Sequence, residues 1–176
     1  NLAEEVRQLF DFYEALSEDQ GVRLALAGEG GIQGDRLMLR RALGNLLSNA
    51  IRHTSRNGMI EVRIDQPAPG EIRLTIENPG ETIPPEHLPH IFGRFYKVDA
   101  ARSASSMSGS GLGLSIVRAI VERHGGRVWA VRHRDDLDAG GVHVDHEAGE
   151  ALVLGEVGVG AADHLADVAV LGAGRP

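Results

Sequence analysis

NLLSNAIRHT, residues 45–54, sets two asparagines four positions apart inside an apolar helical pattern and follows them with Arg52 and His53. At that spacing Asn45 and Asn49 project from one helical face, where leucines would have served a helix better. Amide oxygens are hard donors suited to Mg²⁺, an ion that keeps several waters and borrows phosphate oxygens from a substrate. Arg52 stands close enough in sequence to neutralise such a phosphate. An isolated pair of this kind is also compatible with a solvated stripe or with amides bonded to nearby backbone, so the flanking segments have to discriminate.

Working outward, Asp35 is placed to cap a helix running through Thr54, with Leu37, Leu39, Ala42, Leu43, Leu46, Leu47 and Ala50 as its apolar face. Upstream, Leu2, Val6, Leu9, Phe10, Tyr13 and Leu16 recur at helical spacing and predict a first amphipathic helix ending before Gly21. VRLALAG, residues 22–28, alternates and reads as a strand. Downstream, MIEVRID (59–65) and EIRLTIEN (71–78) alternate apolar and polar residues around QPAPG, which predicts a β-hairpin with one solvated face. A short helix is expected around PPEHLPHIF (84–92), and KVDAARSASSMSGS (97–110), poor in apolar residues, reads as a loop. Gly111 is expected to open a helix, GLGLSIVRAIVERHG, and Gly126 to lead into a strand, RVWAV (127–131). The order of elements predicts a two-layer α/β sandwich with a mixed sheet packed on helices.

Composition excludes several function classes. With 176 residues and 42% hydrophobic content the chain can build one globular core. A formal net charge of −7 lacks the basic footprint of a nucleic-acid binder, so no nucleic acid partner is expected. The absence of cysteine rules out disulfides and thiolate metal sites. No run of about 18 apolar residues is present, so neither a spanning segment nor membrane contact by this stretch is expected.

Two further segments bear on the paired asparagines. In GSGLGLSIV, Gly109, Gly111 and Gly113 alternate directly before a predicted helix, an arrangement that turns backbone N–H groups toward an anion at a positive helix end. The spacing is neither that of dinucleotide-binding folds nor that of the P-loop, and no strand feeds it; alone it is equally a flexible loop before a helix. In IENPGETI, Asn78 followed by Gly80 at a strand end can offer an amide to adenine, accepting from N6 and donating to a ring nitrogen. Alone it reads better as an ordinary Asn-Pro-Gly turn.

Taken together, NLLSNAIRHT, IENPGETI, IFGRFYKVD and GSGLGLSIV resemble, in order and approximate spacing, the N, G1, F and G2 boxes of the ATP-binding catalytic domain of sensor histidine kinases. The resemblance covers roughly residues 1–131, and ENPG and FGRFYKVD are most similar to the heavy-metal-sensor branch. It implies the Bergerat-type α/β sandwich shared with gyrase, the large heat-shock chaperone ATPase and mismatch-repair ATPases. It also implies Mg²⁺ on Asn49 with Asn45 nearby, Arg52 near the phosphates and His53 bordering the nucleotide. Asn78 takes the adenine contact, Gly80 permits its close approach, and Ile83 lines the base pocket. Phe92, Phe95 and Tyr96 anchor the base of an ATP lid beside Arg94 and Lys97, while Gly109, Ser110, Gly111, Leu112, Gly113 and Leu114 border the phosphates. Two positions depart from the pattern: the family norm is Asp where Asn78 stands and Gly where Thr82 stands. Asn keeps the acceptor oxygen that adenine needs.

The activity implied is transfer of the γ-phosphate of Mg·ATP to a histidine on a separate dimerisation domain, then onward to a response regulator, within a homodimeric parent held in the cell membrane with this domain in the cytoplasm. None of the eight histidines sits in an H-E-x-x-x-P setting, so the chain is expected to bind ATP without a phosphoacceptor of its own. Residues 1–20 then read as a connector helix from the dimerisation domain, 21–131 as the catalytic domain and 132–176 as an atypical tail. Two alternatives stay open: a non-catalytic nucleotide-binding or interaction module, and a hydrolytic ATPase of the same fold. Hydrolytic relatives carry a Glu near the position of Asn45 to activate water, which favours the kinase.

The tail is built only from Arg, His, Asp, Leu, Ala, Gly, Val, Glu and Pro, all encodable by codons beginning with G or C. One reading is a frameshift near residues 130–132 of a GC-rich gene, which would cost the sheet its terminal strand and leave an edge unpaired. A second is a low-complexity or disordered acidic tail. A third is a metal-binding tail using His133, His143 and His146.

Overall fold

A computed structural model of the chain describes residues 1–68, 70–80, 83–98 and 110–130, together with the strand at 152–155. The first helix, α1 (Leu2–Gln20), starts where the Asn1 side chain accepts from the Glu4 N–H at 3.2 Å and stops at Gly21, whose φ of +65° suits a residue without Cβ. Strand β1 (Arg23–Gly28) follows. Helix α2 (Arg36–His53) is capped by Asp35, which accepts from the Met38 N–H at 3.0 Å, and ends where Thr54 turns extended. The hairpin strands are β2 (Met59–Asp65) and β3 (Ile72–Glu77); α3 (Gly113–Arg123), β4 (Arg127–Trp129) and β5 (Leu152–Gly155) complete the chain order.

The sheet order is β1-β2-β3-β5-β4. Strand β1 runs parallel to β2 with Leu24 opposite Ile60, β2 runs antiparallel to β3 with Val62 opposite Ile76, and β5 runs parallel to both its neighbours. Period-2 alternation sends Ile60, Val62, Ile64, Leu74 and Ile76 to one face, where Leu43, Leu47, Ile51, Val117 and Val121 of the helices close the core. Glu61, Arg63 and Glu77 take the other face. The Arg63 guanidinium lies 2.7 Å from Glu61 and 3.4 Å from Glu77. Burial there opposes its charge, but the hydrogen bond to Glu61 and the neighbouring carboxylates hold its pKa above the ordinary arginine value.

The helices are registered by a few polar contacts. Glu5 of α1 bonds Arg36 at 2.6 Å and Arg40 at 3.2 Å, and the Tyr13 hydroxyl donates to the Gly44 carbonyl at 3.2 Å. Helix α3 lies antiparallel on α2: Gly113 at its start faces Asn45, and His124 just past its end accepts the Asp35 N–H on Nε2 at 3.1 Å. His124 Nδ1 donates to the Ile120 carbonyl at 2.7 Å, so this contact uses the neutral ring.

Three expectations are corrected. In place of a helix across 84–92 there is only a 3-10 turn, Leu88–His90; Pro84, Pro85 and Pro89 lack the N–H groups an α-helix needs. Helix α3 opens at Gly113 rather than Gly111, because Gly111 adopts φ +70°. Strand β4 stops at Trp129, short of the expected residue 131. The sheet carries a tail segment, β5, between β3 and β4, so β4 is paired along its length. A parallel neighbour requires a crossover connection. The connecting residues 131–151, with His133, His143 and His146, lie outside the described residues.

Candidate nucleotide-binding site

Three segments meet around the C-terminal half of α2. Asn45 and Asn49 are both half-buried on that helix. Gly113 lies directly over Asn45: a Cβ added to Gly113 would come 3.5 Å from Asn45 Oδ1. The amide face is thus brought against the first turn of α3, whose N-cap, Leu112, supplies no side-chain hydrogen bond. The first N–H groups of that turn lack partners within the helix and stand at the positive end of its dipole, beside two amides.

The second wall is the clamp between the F and G2 segments. The Phe95 N–H donates to the Gly111 carbonyl at 2.9 Å, and a Cβ on Gly111 would meet Phe95 Cα and C at 2.9 Å and the Tyr96 carbonyl oxygen at 3.2 Å. This contact closes the base of segment 97–110, most of which lies outside the described residues, Gly109 included. The two phenylalanines of the F segment differ in how they anchor. Phe92 is buried in the core, whereas Phe95 has φ +61° and is 70% exposed as a residue, so its backbone makes the attachment. Tyr96 is half-buried; its hydroxyl is hydrogen-bonded to His87 Nδ1 and its ring lies 5.7 Å from that of His90. Arg94 is exposed, and Lys97 is half-buried.

The third wall is the G1 segment. Thr54 and Gly80 form an antiparallel bridge, the Ser55 N–H donates to the Pro79 carbonyl at 3.1 Å, and a Cβ on Gly80 would fall 2.2 Å from the His53 carbonyl oxygen. Only glycine permits that approach. Behind it, Asn78 is 3% exposed and its Nδ2 has no hydrogen-bond partner among the described residues. A buried donor left unpaired costs about 1–3 kcal/mol, which is the expected signature of a group waiting for a ligand acceptor. Ile83, Leu112 and Leu114 are half-buried beside this region, with Ile83 and Leu114 packed on the core; Arg52, His53 and Ser110 are exposed, and Thr82 lies outside the described residues. Sequence reading did not single out Thr54, Ser55 and Pro79, which tie the G1 loop to α2, nor His87, which holds Tyr96. The Pro-Gly pair after a strand was the available signal for the former. Among the described residues no cluster of three or more His, Asp or Glu is arranged for a metal, so a divalent ion here would rest on amide oxygens and substrate phosphates. The orphaned Asn78 amide and the uncapped helix start beside Asn45 and Asn49 fit a Mg²⁺-nucleotide.

The family model for histidine kinase-, DNA gyrase B-, and HSP90-like ATPases matches residues 34–150. The chain belongs to this ATPase family. Its ATPase fold carries the ATP-binding catalytic domain found in sensor histidine kinases. The sensor histidine kinase CusS of Escherichia coli O6:H1 is 54% identical over 129 residues, covering 73% of this chain and 26% of CusS. The chain therefore spans about a quarter of the length of that relative. Among solved structures, the mycobacterial sensor histidine kinase MprB superposes with a TM-score of 0.71 at 26% identity, covering 99% of this chain and 95% of that one. The catalytic domain of histidine kinase ThkA gives 0.63 at 30% identity over 73% and 82% of the two chains. Among the described residues of this ATPase-family member no helix is long and apolar enough to cross a membrane.

Proposed function

We propose that this chain is the kinase module of a two-component sensor, binding Mg·ATP and presenting its γ-phosphate to a histidine on a dimerisation domain. The observation that carries the reading is the convergence of the Asn45 and Asn49 face, the α3 N-terminus at Gly113 and the buried, unpaired Asn78 amide around one end of α2. In this reading Asn78 orients the base and Gly80 admits it. The first-turn N–H groups of α3, with Arg52 and Lys97, offset phosphate charge. Asn49, assisted by Asn45, would hold Mg²⁺, which when bound neutralises charge developing on the transferred phosphoryl oxygens. Transfer then depends on positioning: an acceptor nitrogen attacks phosphorus in line while the bond to the nucleoside diphosphate breaks. Asn45 is an amide and offers no carboxylate to activate water, which supports transfer to an acceptor over hydrolysis.

The same reading assigns residues 1–20 to a connector helix, 21–131 to the catalytic domain and 132–176 to a tail of separate character, for which DNA sequencing across codons 130–132 tests the frameshift origin. It makes the parent a membrane-held homodimer with this domain in the cytoplasm and a response regulator as the next acceptor. The test is incubation with labelled ATP and a supplied histidine-bearing dimerisation domain. Acid-labile label should appear on that domain and vanish with Asn49→Ala. Steady phosphate release without any acceptor would instead favour the hydrolytic alternative, and binding without transfer or release the non-catalytic one.

A further inference from the structure

Asn78 departs from the carboxylate expected at its position, and the difference has chemical content. A carboxylate only accepts hydrogen bonds, so it suits the N6 amino group of adenine and opposes a carbonyl oxygen at the same place. An amide carries one acceptor and two donors on a side chain that can turn its two ends over. With Oδ1 toward N6–H and Nδ2 toward N1 it pairs with adenine; turned over, Nδ2 donates to a purine O6 and Oδ1 accepts from N1–H. The residue is 3% exposed and its Nδ2 has no hydrogen-bond partner among the described residues. Gly80 stands next to it, its Cβ position 3.6 Å from Asn78 Nδ2 and 2.2 Å from the His53 carbonyl oxygen, so the amide nitrogen lies where the G1 loop meets the end of α2.

We infer that the base pocket of this chain accepts 6-oxopurine nucleoside triphosphates, those of hypoxanthine and guanine, alongside ATP. The inference rests on the nucleotide-binding reading of the site and extends it to the class of base. A buried donor with no protein partner is satisfied by O6 as readily as by N1, whereas an aspartate would leave O6 facing a negative charge.

The experiment is calorimetric titration of the full chain with non-hydrolysable analogues of ATP, ITP and GTP, with the CTP analogue as a pyrimidine control, repeated on Asn78→Asp. ITP carries O6 without the 2-amino group of guanine, so it isolates the contact at issue. The expected result is binding of at least one oxopurine within about tenfold of ATP, equivalent to about 1.4 kcal/mol. Asn78→Asp removes the donor, so it should widen the ratio of ATP to oxopurine affinity by at least about another tenfold. Binding of ATP with both oxopurines weaker by more than about a hundredfold overturns this inference and leaves the nucleotide site standing. An unchanged ratio in Asn78→Asp also overturns it. Failure of every nucleotide to bind the folded chain overturns both the inference and the site on which it rests.

Discussion

Replacing Gly111 by alanine should part the contact between residues 95 and 111 without unfolding the domain. Gly111 holds φ +70°, and its missing Cβ would fall 2.9 Å from the Phe95 Cα and carbonyl carbon. Both obstructing atoms are backbone and cannot rotate away. An L-residue in the left-handed region costs roughly 1–2 kcal/mol and forced overpacking about 1–3, giving about 2–5 together. The Phe95 N–H to Gly111 carbonyl bond at 2.9 Å is what this strain acts against, and such a bond is worth about 0.5–1.5 kcal/mol net. Strain exceeds the bond, so the chain relieves it by parting residues 95 and 111. Stability then falls by only about 1 kcal/mol, a few degrees in Tm. A nucleotide that needs the closed base must restore the strained contact, at about 1–4 kcal/mol, or a roughly five- to thousandfold loss of affinity. Calorimetric titration with an ATP analogue and a thermal melt without nucleotide separate the two quantities. Gly31→Ala is the control, because a Cβ there meets nothing within 4 Å. Affinity within about twofold of the parent in Gly111→Ala would refute the clamp as a requirement for binding.

Other perturbations follow from the same geometry. Gly80→Ala sets a methyl 2.2 Å from the His53 carbonyl oxygen; it should separate the Thr54–Gly80 bridge, cost about 1–3 kcal/mol by thermal melt and abolish detectable nucleotide binding. Leu43→Ala, at a fully buried position on α2, should lower stability by about 2–5 kcal/mol in denaturant titration. For Glu5, burial opposes the carboxylate but the hydrogen bonds and charges of Arg36 and Arg40 outweigh it and hold its pKa below the ordinary value. Its stabilising effect is therefore complete above the ordinary glutamate pKa and is lost as pH falls through the lowered folded value. Glu5→Gln should lower Tm near neutral pH and lessen the fall of Tm below about pH 4.5; an acid limb identical to the parent's would contradict the pairing.

Local patterns were legible and long-range ones were not. The Asp35 cap, the α2 apolar face from Leu39 to Ala50 and the alternation of β2 are set by neighbours a few residues apart, and the structure places them as the sequence predicted; Leu37, read into that face, is 78% exposed in the first turn, and Thr75 and Glu77, on the expected solvated face of β3, are buried. The start of α3 was misplaced by two residues because alternating glycines do not say which one turns left-handed; that is decided by Phe95, sixteen positions earlier in the chain and met only in the fold. The exposure of Phe95 escaped for the same reason, since an F-x-x-F pair looks uniformly apolar until one backbone is bonded across to Gly111. The insertion of β5 between β3 and β4 depends on pairing between distant residues, on which periodicity is silent. At the site, Asn45, Asn49, Asn78 and the glycines were visible as residue types. That α2 serves all three segments at once emerged only from Gly113 over Asn45 and Gly80 under His53.

The most direct test of the nucleotide site is isothermal titration of the chain with a non-hydrolysable ATP analogue, with and without Mg²⁺, beside Asn49→Ala. Binding that requires Mg²⁺ and is lost in Asn49→Ala, with the melting curve unchanged, is the result expected of an amide face that holds the metal and phosphates. A folded chain that binds no nucleotide, or binds it equally well without Mg²⁺ and in Asn49→Ala, would contradict that assignment.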